Sequence, residues 1–205
     1  MIPRRLLVSI VLAGLALNGC GTTSTTLDVR YPEQGANSAL LASAAPRRVQ
    51  ISPVVDRRIE PARVGSRPRG GGALVTSRPV VEIVQDALSI EVSKNGHAVV
   101  SDRPDVVLKT VVEAFWLDAV DGYSSLQYVG KVVIALTVAD GRTGETLLTR
   151  RYVGIKRREV DKPDERQWRE VLDTALARTV HDLATDPDLV ATLARVPTAV
   201  RHSIT

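Results

Sequence analysis

The sequence predicts an α+β domain: a two-layer sandwich in which two long amphipathic helices cover one face of a mostly antiparallel sheet of four to five strands. Three observations predict it. Segments alternating apolar and polar residues recur between about 48 and 157, the period-two signature of half-buried strands. Two stretches, 77–95 and 161–184, carry apolar residues at helical spacing along one face. Their order, β-α-β-β-β-β-α, gathers the helices on one side of hairpin-linked strands.

Arg48-Val49-Gln50-Ile51 alternates before Pro53, Val54 and Val55 and is read as the first strand. A loop from Asp56 to Thr76 follows, studded with arginines and broken by Gly70-Gly71-Gly72. Ser77 is placed to cap a helix running to about Asn95, with Pro79 in its first turn and Gly96 ending it. Val80, Val81, Ile83, Val84, Ala87, Leu88 and Ile90 give that helix its apolar face. A short strand is expected over His97 to Ser101. From Asp105 to Leu117, the face of Val106, Leu108, Val112, Ala114 and Trp116 is read as inward, with Lys109 and Glu113 outward.

From Tyr128 to Ala139, Val132, Ile134, Leu136 and Val138 point inward while Lys131 and Thr137 point outward. Asp140-Gly141-Arg142-Thr143-Gly144 signals a hairpin. Its partner strand, Glu145 to about Arg157, has Leu147, Val153 and Ile155 on one parity and Leu148 and Tyr152 on the other, so a bulge is expected near Arg150-Arg151. Asp161, Pro163 and Asp164 open the second helix, where Trp168, Val171, Leu172, Ala175, Leu176, Thr179, Val180 and Leu183 keep the i, i+3, i+4 rule. Asp186-Pro187 restarts a short helix to about Leu193, and residues 196–205 read as a flexible tail.

The N-terminus has a different character. Arg4 and Arg5 precede an uncharged apolar run, Leu6 to Leu17, which ends at Leu17-Asn18-Gly19-Cys20. A positive end, a short apolar stretch and a small-residue exit describe a secretory signal; a membrane-spanning helix needs about 20 apolar residues. The single Cys20 can form no internal disulfide. Leu17-Asn18-Gly19-Cys20 resembles the bacterial lipobox, with Asn18 departing from its usual small residue. That resemblance implies diacylglyceryl transfer to the Cys20 thiol, cleavage between Gly19 and Cys20, and acylation of the new amine. Each buried methylene adds about 0.8 kcal/mol of membrane affinity, so two or three chains anchor stably. Gly21, where an acidic residue would favour inner-membrane retention, points to the periplasmic face of the outer membrane, with the inner membrane as the alternative. The expected organisation is a signal peptide at 1–19, a lipidated N-terminus and flexible tether at 20–46, a periplasmic domain at 47–195 and the tail. As a random coil, the tether would reach roughly 30 Å.

Composition names no partner. Of 205 residues, 44% are hydrophobic and 24% charged, as in ordinary globular proteins. The formal charge of +4 falls to +2 once Arg4 and Arg5 leave with the signal, which argues against nucleic acid as a partner.

The domain also resembles the YajG-type lipoprotein family of Gram-negative bacteria. The resemblance lies in Val49-Gln50-Ile51-Ser52-Pro53-Val54-Val55-Asp56-Arg57-Arg58, in the helix from Val80 to Asn95 closed by Asn95-Gly96, and in Asp105-Val106-Val107-Leu108. The strand, loop, helix and Asn-Gly phrase more distantly resemble the N-terminal domain of TolB. These resemblances imply an envelope compartment and an α+β fold, and no catalytic motif.

Chemistry-bearing residues are few. There is no G-x-S-x-G. His97, His181 and His202 do not fall at metal-ligand spacing, so no metal or cofactor is expected beyond the acyl chains on Cys20. His181 with Asp182, Asp186 and Asp188 reads as a helix end followed by an N-cap. Glu159, Asp161, Asp164 and Glu165 read as a favoured acidic helix start. Arg57, Arg58, Arg67, Arg69 and Arg78 flank the glycines ahead of a helix, a composition suited to an anion such as a lipid head group. Arg150, Arg151, Lys156, Arg157 and Arg158 read as a charged edge strand, which resists edge-to-edge pairing. The expectation is a non-enzymatic binding or accessory module acting on an envelope protein or lipid. The alternative is an auxiliary lipoprotein of a lipid-transport system, which requires a lipid-sized groove between helices and sheet.

Overall fold

The computed structural model describes residues 24–32, 39–68, 71–121, 125–162 and 164–197. Nine strands form one mixed sheet, with three helices, among these residues. This corrects the expected two-layer arrangement of two long helices on a mostly antiparallel sheet of four to five strands. Three long strands carry the antiparallel part: β7 (Val106–Asp121), β8 (Leu126–Asp140) and β9 (Thr146–Val160). Along the free edge of β7 the chain then lays three short parallel segments in succession. These are β2 (Arg48–Ile51), β3 (Val55–Asp56) and β4 (Gly65–Ser66). The sheet forks beyond them. At one end β6 (Ala98–Val99) pairs parallel to β2. At the other, β5 (Ala73–Thr76) pairs antiparallel to β4, and β1 (Ser24–Leu27) pairs parallel to β5. The extra strands are two to four residues long, shorter than the span over which alternation becomes visible, and most lie within the Arg- and Gly-rich stretch read as one loop.

Helix α1 (Val80–Lys94), α2 (Glu165–Ala184) and α3 (Pro187–Arg195) follow the predicted segments closely. Ser77 does not cap α1: its hydroxyl donates to Asp28 at 3.2 Å, and the helix starts after Pro79 without a side-chain cap. Asp164 does cap α2, accepting from Arg166 N–H at 2.9 Å, and Asp186 caps α3 through Asp188 N–H at 2.8 Å. Gly96, at φ +84°, closes α1 in the left-handed region that glycine adopts without strain.

Register explains two further corrections. A bulge at Glu113, between Val112 and Ala114, reverses the parity of β7. Phe115 and Leu117 therefore enter the core, and Ala114 and Trp116 turn to the opposite face. In β9 the shift falls at Leu147, opposite Val138 and Ala139, and pairing runs unbroken through Arg150-Arg151. Inward residues of β8 follow the prediction, with Val132, Ile134, Leu136 and Val138 fully buried.

The segment read as a tether is partly built into the fold. β1 lies in the sheet, Leu27 and Val29 are buried, and Leu41, in a 3-10 turn over Leu40–Ser43, is also buried. Tyr31 Oη donates to Glu91 at 2.6 Å; that buried carboxylate also accepts from Asn95 at 2.9 Å and pairs with Lys94 at 2.7 Å. His97 Nδ1 accepts from Arg47 N–H at 3.2 Å and its Nε2 lies 3.3 Å from the Leu41 carbonyl, the arrangement of a neutral ring. Burial holds its pKa below the usual histidine value.

Arg30 N–H donates to Asp173 at 2.9 Å, tying this strap to α2. Burial pushes the Asp173 carboxyl from its ordinary 3.8 to about 6, against the lowering effect of the Arg30 N–H. A folded-state value above the unfolded one means that the folded state holds this proton more tightly. The carboxyl is thus no burden at low pH and costs stability as pH rises through about 6. Asp173→Asn keeps an acceptor for Arg30 and is expected to raise the melting midpoint at neutral pH, with the gain vanishing near pH 4. Melting curves across that range check it; a constant offset contradicts it.

Candidate functional site: an exposed loop over the open sheet face

The helices seal one face of the sheet. On the other, β7, β8 and β9 present Val111, Ala114, Trp116, Lys131, Ala135, Arg151, Val153 and Ile155, all partly or fully exposed. Apolar side chains from all three strands share this face with Lys131, which stands on the central strand between Trp116 and Ile155. The loop between β3 and β4 lies beside it, opposite the Glu113 bulge, where the parallel ladder on β7 is interrupted.

That loop is organised around Arg58. Its guanidinium donates to both Asp56 carboxylate oxygens, at 3.0 and 2.8 Å, and to the carbonyls of Arg63 at 3.0 Å and Pro61 at 2.7 Å. Its side chain is only 6% exposed. Burial raises the Asp56 pKa, but the hydrogen bonds and charge of Arg58 outweigh this and hold the carboxyl below the usual range. Arg63 pairs with Glu60 and places its guanidinium 5.4 Å from the centre of the Trp116 ring. Trp116 Nε1 donates to Asp118 at 2.7 Å, and Glu113 pairs with Arg151 at 2.6 Å. The result is a braced loop that holds Ile59 at its tip, 99% exposed. A crevice of about 230 Å³ separates loop and sheet, lined by Arg58, Ile59, Glu60, Glu113, Ala114 and Trp116, with the Phe115 backbone strand as floor.

The arginines singled out in the sequence have separate fates. Arg58 is committed to Asp56 and the loop carbonyls, and Arg78 pairs with Glu82 at 3.5 Å and Asp86 at 2.6 Å on α1. Arg57 and Arg67 have no ion pair among the described residues. Arg69, Gly70, Gly19 and Cys20 lie outside the described residues. Gly71 and Gly72 close the β4–β5 hairpin, where Arg67 N–H donates to the Gly72 carbonyl at 2.9 Å. The glycines therefore precede a strand, β5, where the sequence reading had a helix N-terminus.

The acidic residues around α3 are likewise occupied by the fold. Asp186 accepts from Tyr152 Oη at 2.7 Å and lies 3.8 Å from Arg150, which also pairs with Asp188. Glu159 accepts from Ser125. Among the described residues β9 pairs only with β8, as an edge strand, with Arg150 and Arg158 turned to the helices and Arg151 to the open face. Among the described residues, no group of three His, Cys, Asp or Glu side chains is arranged to hold a metal ion.

Sequence reasoning missed Ile59 and misplaced Trp116. The only trace of the first is an isolated isoleucine between Arg58 and Glu60. The second was assigned inward because alternation was counted straight through the bulge.

The chain belongs to the family described as uncharacterized lipoprotein, whose sequence profile matches residues 36–194. Membership points to a membrane-anchored place in the cell envelope. The narrower YajG-type resemblance rests on the strand and helix phrases alone. No curated protein matches the sequence.

Among solved structures, protein XCC0632 from Xanthomonas campestris superposes with a TM-score of 0.58 at 16% identity, over 82% of this chain and 96% of that one. A minor lipoprotein from Acinetobacter baumannii gives 0.40 at 11% identity, over 74% and 97%. Lipoprotein GNA1162 from Neisseria meningitidis gives 0.28 at 13%, over 60% and 90%. The first of these likenesses is a likeness of fold.

Proposed function

We propose that this chain is a non-enzymatic envelope lipoprotein, acylated on Cys20 at the periplasmic face of the outer membrane, whose domain binds another envelope component through its outer surface. The observation that carries the reading is the closeness of α2 to the sheet. Gly130 and Gly154 let the helix backbone rest on β8 and β9, so that a Cβ at Gly154 would lie 2.0 Å from the Ala175 carbonyl oxygen. Tyr128, Phe115, Leu136, Leu172 and Leu176 fill the rest of that layer. A carrier of lipid between helices and sheet needs acyl-sized space where these side chains sit. The exposed, braced Ile59 beside Trp116, on a sheet face that also shows Val111, Val153 and Ile155, instead supports recognition from outside.

Ile59→Asp tests this reading. An exposed apolar anchor of this kind is worth about 2 kcal/mol, roughly thirtyfold in affinity, in an interface. The substitution is expected to remove the principal protein crosslink of the membrane-bound chain in intact cells, while changing stability by less than about 0.5 kcal/mol. An unchanged crosslink pattern contradicts the assignment.

A further inference from the structure

We infer that the β1 end of the sheet is held directly against the bilayer, so that the lipid surface is a fixed contact of the domain in one orientation. The inference rests on acylation at Cys20, proposed above. Ser24 opens β1 and pairs with Ala73, and only residues 21–23 separate it from Cys20. Four Cα steps at ~3.3–3.6 Å each span at most about 14 Å, whereas the 26-residue tether read from the sequence would reach roughly 30 Å. The anchor therefore acts on the start of a paired strand.

Register shows what else lies at that end. Ser24 is level with Ala73, Ala73 with Ser66, and Gly65 with Leu117. The β4–β5 hairpin with Arg67, the β7–β8 hairpin next to the half-exposed Val120, the end of β9 at Val160 and the start of α2 at Glu165 share this end. Its charges are mixed: Arg67, Arg157, Lys162 and Arg166 stand with Asp118, Glu159, Asp161, Asp164 and Glu165. Charge alone would not choose this end, so the short anchor sets the orientation. The β8–β9 turn at Arg142 and the α1 terminus at Gly96 then face the periplasm, and the Ile59 loop stands between the two ends, clear of the head groups.

The test uses the full acylated chain in vesicles of phosphatidylethanolamine and phosphatidylglycerol carrying a fluorescent acceptor lipid. With Cys20 acylated, a cysteine introduced by Asp161→Cys, at the β1 end, or by Arg142→Cys, at the far end, is the single free thiol for a donor dye. Fifteen residues of β8 separate the two ends, about 50 Å of strand. Energy transfer to the lipid is expected to be severalfold stronger from position 161 than from 142. Inserting about 20 Gly/Ser residues between Gly21 and Thr22, with a reach of roughly 25 Å, is expected to erase the difference. Equal transfer without the insertion overturns the orientation, and a difference that survives the insertion overturns the short anchor as its cause. Intact mass on the same samples separates the two readings: a chain without acyl mass that fails to float with vesicles overturns the acylation reading and this inference together, whereas an acylated, floating chain with equal transfer overturns the orientation alone.

Discussion

Gly154→Val is expected to cost at least about 3 kcal/mol of folding stability, because overpacking typically costs 1–3 kcal/mol and here there is no flexible side chain to yield. A Cβ at this position would sit 2.0 Å from the Ala175 carbonyl oxygen, 2.4 Å from Thr179 Oγ1 and 2.7 Å from Thr179 N. Two of these three atoms are helix backbone. Relief requires α2 to lift from β9, which breaks the Thr179 hydroxyl contact to the Val132 carbonyl at 3.1 Å and opens the layer around Leu172 and Leu176. For a domain of this size, 3 kcal/mol corresponds to a fall in melting midpoint of roughly 6–12 °C. Gly144→Ala provides the contrast. Gly144 has φ +76° and nothing within 4 Å of where a Cβ would lie, so its substitution costs only the strain of a side chain in the left-handed region, about 1–2 kcal/mol. Denaturation of the soluble domain, freed of its signal and Cys20, ranks the variants. Equal costs at both glycines contradict the close helix–sheet contact.

Cys20→Ser is expected either to release the protein from washed membranes or to leave it as unprocessed precursor. A serine hydroxyl cannot replace the thiol in the thioether that carries the diacylglyceryl group, and cleavage before residue 20 depends on that modification. Without the proposed acyl chains, at about 0.8 kcal/mol per methylene, a processed chain keeps no comparable attachment. The altered chain is expected either as unprocessed precursor or as soluble periplasmic protein, read by fractionation and by the mass of its N-terminal peptide. Unchanged partitioning with normal processing contradicts the anchor.

Much of the domain was legible because its long elements obey simple periods. α2 shows its face through Trp168, Val171, Leu172, Ala175, Leu176 and Val180, and all six are buried. In β8, Val132, Ile134, Leu136 and Val138 alternate with Lys131, Ala135 and Thr137 because one side meets α2, and Val133 alone breaks the pattern within that run, buried on the other side. The forked edge was not legible. β3 and β4 have two residues each, and their partners lie far away in sequence, so local pattern carries no sign of them, whereas β6 falls inside the short strand expected over His97 to Ser101. β1 was hidden for a related reason: Ser-Thr-Thr-Leu is a four-residue strand in a polar stretch, specified by its docking to β5.

The Glu113 bulge had the largest consequence for the site. One extra residue moves Trp116 from the core to the open face and puts Phe115 in its place. The exposed patch thus arose where counting by twos failed. The arginines were visible in the sequence, but their partners were not: Asp56 is two residues from Arg58, and Asp86 is eight residues from Arg78 across the start of α1. What composition suggested as an anion site is, for these two, internal bracing.

The central claim is that this lipoprotein works through its outer surface with its helix–sheet layer filled. Native mass spectrometry of the acylated chain extracted from membranes tests it most directly. The account predicts a mass equal to the chain from Cys20 onward plus its acyl groups, found alone or bound to a protein whose retention is lost in Ile59→Asp. A stoichiometric phospholipid that stays bound in the gas phase, and is lost when the packing around Gly154 and Leu172 is altered, would contradict it.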